Sequence, residues 1–128
     1  MTQSVSLKLT AEDIARYERE IEQIDLAVEH DLLARIPDKI QTLMRARELS
    51  SIQASLVQDI SKLVLVLRNA PNIDIRVKKK IIFALQYFYN PYDEIPDSVA
   101  NLGFLDDAIV VHWVVEQIAR QFPEYFQV

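Results

Sequence analysis

Four aspartates, Asp93, Asp97, Asp106 and Asp107, form the one carboxylate constellation whose spacing allows convergence. Mg²⁺ and Ca²⁺ need several oxygen donors, and one loop that gathers carboxylates can supply them, so these four are the candidate metal ligands. The spacing is not that of a calcium-binding helix-loop-helix loop. Aspartate is also a strong helix-capping residue, and the competing reading is that the four cap helices and accept from backbone amides. The two roles overlap, since a capping carboxylate keeps one oxygen free. Mg²⁺ and Ca²⁺ are the only cofactors this pattern brings into question.

The second group is basic: Arg76, Lys78, Lys79 and Lys80. Cations in the first turns of a helix oppose its dipole, so something acidic is expected nearby. One reading places them against an acidic first helix, against Glu116 and Glu124, or in solvent. The other makes them the surface for an anionic partner or an acidic membrane, where each adds ~1 kcal/mol and gives weak recruitment. His30 and His112 are the only histidines. No serine or cysteine nucleophile pattern accompanies them, and His112, beside Trp113, reads as a partly buried structural residue rather than a base. There is no glycine-rich phosphate loop and no histidine-rich metal motif, so no catalytic residue is assigned. Tyr87, Tyr89 and Tyr92 either line a groove or fill the edge of a core.

The elements that position these residues read as helices. The chain of 128 residues is expected to form one domain that needs no staple, and it has no cysteine for a disulfide framework. Net charge is −5, which argues against nucleic-acid binding because phosphate neutralisation needs a basic footprint. Basic residues concentrate between positions 35 and 80, with acidic segments on either side. Residues 1–9 read as a flexible arm without a signal-peptide pattern, and the uncharged runs are too short to cross a membrane. A soluble, cytoplasmic protein is the expectation.

In order, Thr10 and Asp13 start a helix whose stripe is Ile14, Tyr17, Ile21, Ile24 and Val28. So narrow a stripe packs inside its own chain or pairs with a second copy, and Ile14, Ile21 and Val28 would form the dimer seam. Because proline is excluded from helix interiors, this helix should end near Ala34 and a second should start near Pro37. A third follows Ser50 and Ser51, with the wide stripe of a central helix: Ile52, Leu56, Val57, Ile60, Leu63, Val64 and Leu67. Asp74 caps a fourth, Asp106 or Asp107 a fifth, and Pro123 ends the latter before an apolar tail that docks on the body. No run alternates long enough to be a strand. The reading is all-α with about five helices, those of 10–70 followed by a helical hairpin over 73–122. Its last two helices are antiparallel and closed by a corner rich in proline and aspartate.

That corner reads P-x-D-x-I-P-D, five residues, then G-x-x-D-D, carried by Pro91, Asp93, Ile95, Pro96, Asp97, Gly103, Asp106 and Asp107. It is similar to the signature of the YkvA-type bacterial family, a helical-hairpin domain of unknown function. A-L-Q-Y-F before it and A-I-V-V after it also resemble the family pattern, over about residues 81–115. Ser98 and Asn101 depart from it, where members often carry apolar residues or proline. The resemblance implies a helical hairpin and supplies no activity, cofactor or catalytic residue. The expectation for function is a non-enzymatic protein-interaction or scaffold module. Set against it are a divalent-cation protein or metal-dependent enzyme built on the acidic corner, and a peripheral binder of anionic membrane.

Overall fold

The computed structural model describes residues 9–45, 51–70, 72–89 and 105–126, with the backbone alone at 105 and 106. Among the described residues are five α-helices and no strand: α1 (Ala11–Glu22), α2 (Glu29–Met44), α3 (Ser51–Asn69), α4 (Ile75–Tyr89) and α5 (Leu105–Gln121). Single 3₁₀ turns lie at Leu26–Val28 and Pro123–Tyr125. The all-α class and the helix number expected are found.

Local chemistry sets two of the starts. The Asp13 amide donates to the Thr10 hydroxyl at 3.0 Å, and the Thr10 amide donates back to the Asp13 carboxylate at 3.1 Å, a reciprocal capping box. At α4 the Asp74 carboxylate accepts from the Arg76 amide at 2.8 Å and from its guanidinium at 2.9 Å. Both carboxyls lie below the usual aspartate range: Asp13 chiefly because it accepts from the Thr10 amide, Asp74 chiefly because it accepts from the Arg76 side chain. A carboxyl lowered by folding contributes stability above its unfolded range and loses it as pH falls through the folded value. Acid should therefore weaken the fold, and part of that weakening should vanish in Asp74→Asn. The expected result is a melting-temperature gap between wild type and variant that narrows below roughly pH 4; a gap that stays constant from neutral to strongly acid pH contradicts it.

The division of the N-terminal helices differs from expectation. α1 stops at Glu22, not near Ala34, and Pro37 lies inside α2 instead of opening a helix. Asp25 explains the first difference: its side chain accepts from the Ala27 amide at 2.9 Å and caps the short turn that leads into α2. Ile24 and Val28 still pack on the core, so the apolar spacing runs on through a break it does not reveal. Packing explains the second. Leu32 and Ile36 before the proline and Leu43 after it are all buried, and this outweighs one missing backbone hydrogen bond.

α4, not α3, is the central helix. Val77, Ile81, Ile82, Phe83, Ala84, Leu85 and Phe88 are buried round most of its circumference, and it packs on the other four helices. α3 keeps one side to solvent, with Leu65 exposed. α5 packs chiefly on α3 and α4. The start of α4 meets the end of α5: the Asp74 amide donates to the Tyr125 hydroxyl at 3.1 Å, and Arg76 lies over the Phe122 ring. Those two helices are thus antiparallel, as expected, and the tail docks. The closing corner itself lies outside the described residues. Of the apolar stripe expected on the first helix, Ile21 is buried in the core, Val28 packs partly on it from the turn after α1, and Ile14 is half-buried.

Candidate functional site

The basic run is held by the rest of the chain. Lys78 pairs with Glu29 at 2.8 Å, Arg76 pairs with Asp74 at 2.9 Å, and the Lys79 ammonium donates to the Glu22 carbonyl at 3.1 Å. A cation at the C-terminal carbonyls of α1 is favoured by the helix dipole. The Lys80 ammonium donates to the Gln121 side chain at 2.8 Å, and partial burial pushes it below the usual lysine range. These cations therefore join the start of α4 to the end of α1, the start of α2 and the end of α5. Glu116 and Glu124 take no part in these contacts.

Of the four aspartates of the acidic corner, only Asp107 has a described side chain. Asp93 and Asp97 lie outside the described residues, and at Asp106 only the backbone is described. Asp107 is fully buried at the start of α5. Among the described residues no group of three or more histidine, cysteine, aspartate or glutamate side chains is placed to hold a metal ion.

A site absent from the sequence reading lies where α1, α3 and α5 begin. A groove of about 570 Å³, open along one side, has apolar walls of Leu9, Ile14, Ile52, Ala108, Ile109 and Trp113. Its polar end is built from α5 and α3. The Nδ1 atom of His112 lies 3.0 Å from the Asp59 carboxylate, and Nε2 lies 3.9 Å from Glu116. Ser55, one helical turn before Asp59, lines the same groove. Asp59 is buried among the apolar positions of α3, whereas the His112 side chain is 56% exposed, more open than the partly buried residue expected. Trp113 turns one side to Tyr17, with ring centroids 6.0 Å apart.

A carboxylate only accepts hydrogen bonds, so the ring nitrogen that faces Asp59 carries a proton and donates. In the neutral imidazole this leaves Nε2 as a bare acceptor beside the Glu116 carboxylate. A buried carboxylate is costly unless paired, and an apolar residue at position 59 would satisfy α3 without it. Asp59 thus acts as the residue that orients His112. The one signal in the sequence was Asp59 itself, a charge flanked by Leu56, Ile60 and Leu63 on a buried stripe.

Against known proteins, residues 77–113 match the family described as "Protein of unknown function (DUF1232)". The match runs through α4 and the corner into α5 and ends on the groove residues His112 and Trp113; the first three helices lie outside it. No curated protein and no solved structure matches the chain.

Proposed function

We propose that the protein is a non-enzymatic interaction module that receives an apolar segment of a protein partner in the groove between α1, α3 and α5. The observation that carries this reading is the groove itself: mostly apolar walls, open along one side, with Ser51, Ser55, His112 and Glu116 as its polar lining. Such a shape suits the apolar face of a helix laid across it. Charge decides among occupants. Glu116 and the Asp59–His112 pair make the polar end acidic, which disfavours an anionic lipid surface. A second copy of a chain with net charge −5 is disfavoured for the same reason. The basic run would be the surface for an anionic partner, but its side chains are occupied with tying helices together. No helix among the described residues is long and apolar enough to cross a membrane.

Trp113, the only tryptophan, reports on the groove directly. Titration with an amphipathic leucine–lysine peptide is expected to change its fluorescence saturably, and Ile109→Asp is expected to abolish the change without altering the melt. Absence of a saturable change, or an equal one in the variant, refutes the reading. So does a concentration-dependent mass that Ile109→Asp removes, because the groove would then belong to a second copy.

A further inference from the structure

We infer that the polar end of the groove recognises a basic side chain, lysine or arginine, carried by the apolar segment that fills the rest. The inference rests on the interaction reading above and deepens it. Two groups face the same space: Nε2 of His112, an acceptor in the neutral imidazole whose Nδ1 donates to Asp59, and the carboxylate of Glu116, with Nε2 and the carboxylate 3.9 Å apart. That separation is too long for a hydrogen bond between them. It suits a shared donor, since an ammonium about 2.8 Å from each would hold the two at roughly a right angle. A neutral hydroxyl has one proton and serves one acceptor; an ammonium has three and a guanidinium five, in addition to the positive charge that Glu116 attracts. Trp113 lines the adjoining wall, where an indole favours a neighbouring cation. The aliphatic stem of lysine or arginine would lie along Ile109 and Ile52, apolar surface that a bare metal ion or free ammonium would leave uncovered.

The imidazole makes this recognition sensitive to pH. The ionisable groups that face it are Asp59 from α3 and Glu116 from α5; the walls that α1 and the start of α3 contribute carry none among the described residues. Proton uptake turns Nε2 from acceptor to donor and places a positive charge where the ligand's own must sit. Asp59, a positioning residue in this arrangement, keeps Nδ1 engaged in both states. Acid therefore releases the basic ligand.

The test compares two synthetic amphipathic helices with the same leucine face and glutamine elsewhere, one carrying a single central lysine and the other norleucine there. Trp113 fluorescence follows binding to the intact chain at about pH 8 and about pH 5, the interval in which histidines change charge. The lysine peptide is expected to bind about five- to tenfold more tightly at the higher pH. That advantage should shrink at the lower pH and disappear in Glu116→Gln. In His112→Gln, whose amide still donates to Asp59, its pH dependence should be lost. Equal binding of the two peptides at the higher pH overturns the inference and leaves the apolar groove reading intact. An advantage that persists undiminished in acid or in Glu116→Gln also overturns it. Failure of both peptides to bind overturns inference and reading together.

Discussion

Phe88→Ala is expected to destabilise the fold by about 3–5 kcal/mol, the range for truncating a buried aromatic, and to lower the melting temperature by roughly 10–20 °C. Phe88 is completely buried near the end of the central helix. Its removal leaves a cavity next to the backbone carbonyl that receives the Lys39 ammonium, which also sits over the ring at 4.9 Å. The side chain therefore joins α4 to α2 by packing and by charge at one point. Loss of the ring leaves that ammonium without its aromatic face, and the helix ends cannot close the gap without disturbing Leu85 and Ile82, both buried. Chemical denaturation measures the effect. A loss below about 1 kcal/mol would mean that the site collapses freely and that α4 is not the centre of the core.

The second large effect is an asymmetry. His112→Ala removes the ring that hydrogen-bonds a buried carboxylate and is expected to destabilise by about 1–3 kcal/mol. Asp59→Leu removes the carboxylate instead and releases an imidazole that is 56% exposed and can turn to water. An apolar side chain then occupies an apolar stripe, so the expected stability is unchanged or higher by about 1–2 kcal/mol. Both variants should lose the preference for a basic ligand. If Asp59→Leu instead unfolds the protein, Asp59 is a structural requirement of α3 and its pairing with His112 needs no functional account. Equilibrium unfolding of the two variants beside wild type separates these outcomes.

Interactions between near neighbours in the chain could be read from the residues alone. The Thr10 and Asp74 caps join groups within three positions of each other, and Leu56, Ile60, Leu63 and Leu67 of the stripe expected on α3 are buried at helical spacing. The expectation that the basic run meets acidic elements held in part, since Lys78 finds Glu29 and Lys79 the last carbonyls of α1. Pro37 misled because tertiary burial of Ile36 and Leu43 overrides a local preference. The break after Glu22 was hidden because the 3₁₀ turn keeps Ile24 and Val28 on the core side.

The candidate site was illegible for a different reason. Asp59 and His112 are 53 residues apart, and their contact depends on how α3 and α5 align. Neither residue belongs to a spaced motif. An aspartate within an apolar stripe was the local irregularity that pointed to a buried partner, and only the packing of α5 on α3 identifies which. Asp93 and Asp97, the more conspicuous carboxylates, fall outside the described residues.

Recognition of a basic side chain requires that Nε2 of His112 face the groove without a proton. Long-range ¹H–¹⁵N correlation spectroscopy of the uniformly ¹⁵N-labelled protein at about pH 8 answers this directly, since protonated and bare imidazole nitrogens resonate far apart. The predicted spectrum has Nδ1 protonated and Nε2 bare in wild type, with the tautomer preference lost in Asp59→Leu. A protonated Nε2 in the wild-type protein would mean that the groove ends in a donor, and the recognition of a basic side chain would be wrong.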